Sequence, residues 1–109
     1  MLQSAERVAC YLAGVTFKSF EADPVLQDAV IRRLEIIGEA ARRVSTRYAD
    51  AHDTVPWRDA IDMRNLLAHE YDVVSLGIVW ETAQVDLPEL ADSLRAVLGD
   101  CVWPTGYTP

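Results

Sequence analysis

At 109 residues the chain has room for one compact domain with a single modest core. Half of its residues are hydrophobic (50%) and a quarter are charged (25%), which suits a globular domain and excludes a disordered chain. A net charge of −7 opposes broad attraction to a phosphate backbone, so any nucleic-acid contact has to be local. The cysteines, Cys10 and Cys101, have no CxxC spacing and read as buried thiols. His52 and His69 are too isolated for a site built on several imidazoles, so neither a metal site nor another cofactor is expected.

The first helix is predicted near residues 2 to 15, from apolar residues at Ala5, Val8, Leu12 and Val15. The apolar stretch Val8 to Phe17 is too short to span a bilayer, and no basic run precedes it, so a cytoplasmic, uncleaved chain without membrane contact is expected. Thr16 to Phe20 adds a short turn. Asp23-Pro24, a capping acceptor followed by a proline at the first helical position, starts a second helix. Its stripe of Leu26, Val30, Leu34, Ile37, Ala41 and Val44 carries it to about Arg47, while Ile31 and Ile36 fall off that stripe and suggest a second packed face. Arg32, Arg43 and Arg47 share a face with Glu35 and Glu39, and the spacing favours a salt-bridged surface over an RNA track.

Tyr48 to Val55 reads as a loop containing His52, and Pro56 opens a third helix through about Tyr71. A fourth helix begins at Ser75 and carries Leu76, Trp80, Ala83, Leu87, Leu90, Leu94 and Leu98 inward, with Gly99 as its cap. Pro88 removes a backbone donor and crowds the carbonyl of Gln84, so a kink is expected there. Trp103 and Tyr107 are the residues able to dock the tail. These elements define an all-α, up-and-down bundle of four to five helices, of a size that gains stability as a homodimer.

The third helix carries the chemistry. Trp57, Ala60, Ile61, Arg64, Ala68 and Tyr71 lie on one mainly apolar side, with an arginine in its middle. A guanidinium keeps its charge, so Arg64 requires an acidic partner, an interface or a phosphate. Arg58, Asp62, Asn65 and His69 form a polar stripe alongside, and Arg64 is long enough to sweep toward the groove that His69 borders. By itself Arg-x4-His is a common accident, and a lone helical histidine or a tyrosine on an apolar stripe is more often a packing residue.

The longer strings are more specific. Pro56-Trp57-Arg58 followed by Met63-Arg64-Asn65-Leu66-Leu67-Ala68-His69-Glu70-Tyr71 resembles the HepT family of the HEPN superfamily. Leu34-Glu35-Ile36-Ile37-Gly38-Glu39-Ala40-Ala41, Ile78-Val79-Trp80-Glu81 and Asp86-Leu87-Pro88 resemble it too, so the likeness covers about residues 16 to 95. Arg64, His69 and Tyr71 match the family's Arg-x4-His-x-Tyr motif at every defined position.

The resemblance implies a helical HEPN domain over residues 1–99 with a tail at 100–109, dimerised so that two motifs face one cleft. It implies the toxin of a type VII (HepT/MNT) toxin–antitoxin system: a metal-independent endoribonuclease acting on messenger or transfer RNA through 2′-hydroxyl attack. In that reading His69 moves protons, Arg64 anchors the phosphate, and Asn65 orients His69 or the substrate or is an exposed amide. Tyr71 would be the residue AMPylated by a partner MNT-type nucleotidyltransferase antitoxin, a modification that sets negative charge where RNA phosphate binds. The alternative is a non-catalytic HEPN subunit that binds nucleotide or substrate for a nucleotidyltransferase complex.

Overall fold

A computed structural model describes residues 1–70 and 76–98, and of residues 68–70 the backbone only. The described residues form an all-α fold. Helix α1 (Leu2–Leu12) buries Ala5, Val8 and Leu12 on one side. It stops short of residue 15 because Gly14 adopts φ 73°, a left-handed conformation that an L side chain resists. Cys10 falls off the buried stripe and is exposed, contrary to the expectation of a buried thiol.

Helix α2 (Phe17–Glu21) is capped by Thr16, whose hydroxyl accepts from the Ser19 amide at 3.2 Å. Its far end is held by Gln27, whose Nε2 donates to the carbonyls of Phe20 and Glu21 at 2.9 and 3.0 Å. Helix α3 (Pro24–Arg43) starts as its sequence requires, with Asp23 Oδ1 accepting from the Leu26 amide at 3.1 Å and Pro24 following. Val30, Leu34, Ile37 and Ala41 are buried. Ile31, from the second apolar face, is buried in the same core, and α3 packs against both α1 and α5.

The chain then departs from expectation. Helix α3 ends at Arg43, Val44 is extended, and Ser45 caps a separate helix α4 (Thr46–Ala51) by accepting from the Tyr48 amide at 3.1 Å. Arg47 therefore belongs to α4, away from the face of Arg32 and Arg43. A short helix with no buried residue has no apolar periodicity, so its residues read as loop. Tyr48 and His52 stack with ring centroids 4.1 Å apart, and Trp57 Nε1 donates to the His52 carbonyl at 3.0 Å, tying α4 to the start of α5.

Helix α5 (Trp57–Glu70) buries Leu67, with Ala60 and Met63 half-buried against the core. Helices α6 (Leu76–Glu81) and α7 (Leu87–Leu98) are joined by a π-helical turn, Thr82–Asp86, in which the Leu87 amide reaches back to the Thr82 carbonyl. The sequence placed a kink at Pro88; the irregularity occurs one turn earlier and contains Gln84, whose carbonyl the proline ring would crowd. The wide turn also sets phase. Val79, Ala83, Leu87 and Ala91 all point inward at steps of four, a spacing that drifts about 40° per step in a regular α-helix. Trp80 packs its ring on Phe20 and Phe17 at centroid distances of 5.3 and 5.8 Å, closing the core where α2 meets α6.

The expected helix start at Ser75 and cap at Gly99, along with Cys101, Trp103 and Tyr107, lie outside the described residues. Among the described residues no helix is long and apolar enough to cross a membrane.

Candidate functional site

The site is built where α3 and α5 touch. A β-carbon on Gly38 would fall onto Cβ of Arg64 and within 2.7 Å of the Ala60 carbonyl oxygen, so the bare glycine backbone is what permits the crossing. This contact seats the stem of Arg64 against α3. From there Arg64 Nη2 lies 3.5 Å from Glu39 Oε2, and Nη1 donates to Asn65 Oδ1 at 3.2 Å. The acidic partner that a half-buried guanidinium requires is thus supplied by the neighbouring helix.

Glu39 serves more than one cation. Arg42 Nη2 donates to its Oε1 at 2.8 Å and Arg43 Nε lies 3.6 Å from the same oxygen. The Arg42 hydrogen bond, opposed by desolvation and helped by the charges of Arg42, Arg64 and Arg43, holds the Glu39 carboxyl below the usual glutamate range. Glu39 Oε2 is buried and accepts no hydrogen bond among the described residues, so Arg64 is attracted to it through charge without a directed bond. One carboxylate facing three guanidiniums leaves local positive charge in a chain whose net charge is −7.

An open groove of about 620 Å³ runs along this surface, lined by Arg32, Glu35, Ile36, Glu39, Ala40, Arg43 and Arg64. The expected Arg32–Glu35 and Glu39–Arg43 pairs are present, at 3.6 Å each. A second groove, of about 370 Å³, has an apolar floor with Leu34, Met63, Leu66 and Leu87, but Asp59, Asp62, Asp86 and Glu89 rim it. That ring of carboxylates opposes a phosphate ligand.

The structure brings Arg64 and Asn65 together. Position 69 lies in the last turn of α5, but the His69 side chain and the whole of Tyr71 lie outside the described residues. His52 is remote from the groove in sequence and contacts, its Nδ1 3.0 Å from the Tyr48 carbonyl oxygen. Gly38 and Glu39 were not singled out as site residues from the sequence. Glu39 was legible as a partner of Arg43, but its contact with Arg64 depends on how two helices cross.

A small helical bundle with this arginine-bearing α5 is of the HEPN class. The family described as "Ribonuclease HepT-like" matches residues 1–97, and the chain belongs to that family. A "Putative RNase" of Caldanaerobacter subterraneus subsp. tengcongensis is 39% identical over 98 residues, covering 90% of this chain and 88% of that one. A "Probable ribonuclease HepT" of Thermococcus cleftensis is 35% identical over 88 residues, 81% of this chain and 80% of that one. A "Gamma-glutamylcyclotransferase and putative RNase" of Methanocaldococcus jannaschii is 35% identical over 98 residues, spanning 90% of this chain but 44% of that longer protein. No solved structure matches the chain.

Proposed function

We propose that the chain is a metal-independent endoribonuclease, the toxin of a type VII (HepT/MNT) toxin–antitoxin pair, working as a cytoplasmic homodimer on messenger or transfer RNA. The observation that carries this reading is the seating of Arg64: its stem is fixed by Gly38 and its head is held by Glu39 and Asn65 beside an open, cation-lined groove. A planar guanidinium held in this way is suited to grip phosphate oxygens through paired hydrogen bonds.

Cleavage needs a base to take the proton from the ribose 2′-hydroxyl as its oxygen attacks phosphorus. It also needs an acid to protonate the departing 5′-oxygen, and positive charge for the oxygens at phosphorus. Two copies of His69 across a two-fold axis supply the base and the acid, and two copies of Arg64 supply the charge. Asn65, which already accepts from Arg64, orients that guanidinium. The nucleophile belongs to the substrate, so no activated water is required, and the product ends are a 2′,3′-cyclic phosphate and a 5′-hydroxyl. Transfer of AMP from ATP to the Tyr71 oxygen by a partner nucleotidyltransferase, with pyrophosphate released, would place a phosphodiester near the motif and silence it by repulsion.

The test is cleavage of RNA by the purified chain in EDTA. Wild type cuts, and His69→Ala does not, with unchanged helical circular dichroism; cutting retained in His69→Ala overturns the assignment. Nucleotide binding without any cleavage by wild type would favour the non-catalytic subunit instead. Incubation with the partner enzyme and ATP adds AMP masses to wild type and none to Tyr71→Phe, and equal labelling of the two overturns the role of Tyr71.

A further inference from the structure

The acid-rimmed groove between α5 and α7 has no part in the ribonuclease reading. Helix α5 packs on α3, whereas α7 packs on α1 and on the π-helical turn, and a cleft of about 370 Å³ stays open between the two. Leu34, Ile37, Leu87 and Leu90, all core residues, form its floor. Leu66 lines it too but is only half-buried and does not join the core cluster among the described residues, so part of its apolar surface stays uncovered.

The rim carries one sign of charge. Asp59 and Asp62 stand on the α5 side and Asp86 and Glu89 on the other, and all of them are exposed. Arg58 answers Asp62 at 3.1 Å, but Asp59, Asp86 and Glu89 have no ion pair among the described residues. Asp59 and Glu89 lie in the first turns of α5 and α7, where a carboxylate suits the helix dipole. That accounts for only half of the rim. Asp62 belongs to a later turn of α5, and Asp86 reaches the rim from the π-helical turn, an irregularity that often accompanies functional surface.

We infer that this groove docks a basic segment of a protein partner, with an apolar side chain set against Leu66 and the floor, and lysine or arginine side chains reaching the rim. Carboxylates gathered round a low-dielectric floor focus negative potential on the opening. Burial of an apolar anchor there supplies affinity that exposed ion pairs alone do not. The stem of a lysine or arginine can lie along Met63 or Leu66 with its charge at a carboxylate. Charge also selects among occupants: RNA would bring phosphates to a ring of carboxylates, and a second copy would bring a net charge of −7. The volume is near the low end of ligand-sized pockets, about 300–1,000 Å³, which suits anchor side chains of a segment rather than a whole helix. No residue lining this groove lines the Arg64 groove, so a segment docked here leaves that groove free, and the inference holds whether or not the chain cuts RNA.

The experiment is fluorescence anisotropy with a labelled amphipathic peptide of leucine and lysine, titrated into the full chain at low and high salt. Wild type binds it, and more weakly as salt rises. Asp59→Asn/Glu89→Gln removes a charge from each side of the rim and should weaken binding at least about tenfold at low salt. Asp28→Asn/Asp50→Asn changes net charge equally at exposed positions that do not line the groove, and should alter binding by less than about twofold. Leu66→Gln, at a half-buried position, should weaken binding about tenfold with unchanged helical circular dichroism, as should replacing the leucines of the peptide by alanine. Amide shifts on peptide addition should concentrate in residues 56–66 and 82–90.

Equal weakening in the two double variants, or no weakening in folded Leu66→Gln, means that net charge alone holds the peptide and overturns the inference. Wild-type binding too weak to measure overturns it as well, as do amide shifts centred on the Arg64 groove. Sedimentation velocity tests the rival occupant: if Leu66→Gln turns a wild-type dimer into a monomer, a second copy fills the groove and the inference fails.

Discussion

Helix α3 helps to line two grooves, and they differ in the charge around them. In the first, Glu39 draws in Arg42, Arg43 and Arg64; in the second, Asp59, Asp62, Asp86 and Glu89 rim an apolar floor. Glu39 orders long, flexible side chains and leaves cations in excess, whereas the second groove gathers carboxylates alone. The first is suited to fixing one guanidinium where geometry matters, as at a reacting phosphate. The second adds to the repulsion of phosphate expected from a net charge of −7.

The largest expected effect separates the two grooves outright. Gly38→Ala should cost about 1–3 kcal/mol of stability through overpacking at the α3–α5 crossing, read from the urea midpoint. By displacing Arg64 it should slow cleavage by on the order of 100-fold, an effect that no substitution in the acid-rimmed groove should match. Cleavage at the wild-type rate would mean that Arg64 does not depend on this crossing.

Glu39→Gln should have a smaller effect. It keeps the shape but leaves three guanidiniums without a counter-charge, so a lower thermal midpoint and several-fold slower cleavage are expected. Undiminished cleavage would show that Arg64 is held without Glu39. Acid gives the same comparison without mutation. Because the Glu39 pKa is lowered on folding, its contribution is complete above the unfolded glutamate value of about 4.3 and is lost as pH falls through the lower folded value. Thermal midpoints measured from pH 5 downward should therefore fall more steeply for wild type than for Glu39→Gln. At the small end, Arg58→Ala removes an exposed pair with Asp62, 3.1 Å apart, and should change stability by no more than about 0.5 kcal/mol.

What could be read from the sequence follows the range of the interaction. Asp23 capping ahead of Pro24, the buried stripe of Leu34, Ile37 and Ala41, and the Arg32–Glu35 pair all arise within one helix and were legible from spacing. The need of Arg64 for an anionic partner was legible from its apolar surroundings, though not which residue would meet it. Helix α4 buries nothing and so leaves no periodic trace, and the exposure of Cys10 follows from which side of α1 the other helices take. Gly38 against Arg64, and Glu39 against Arg64, exist only once two helices are brought together. His69 and Tyr71 were named from motif and resemblance, and their roles rest on the assays proposed above.

The wide turn at Thr82–Asp86 bears on how the chain tolerates changes in length. It accommodates four-residue steps that an ordinary helix would carry off the core-facing side, so the final helical run is poised between two periodicities. Deleting one residue within the turn would favour regular winding, yet Pro88 would still withhold an amide from that ladder. Adding or removing a residue on either side would instead rotate Leu90 and Leu94 out of line with Val79. The bulge thus acts as a spacer whose length is tied to the proline that follows it, and the two would be expected to change together.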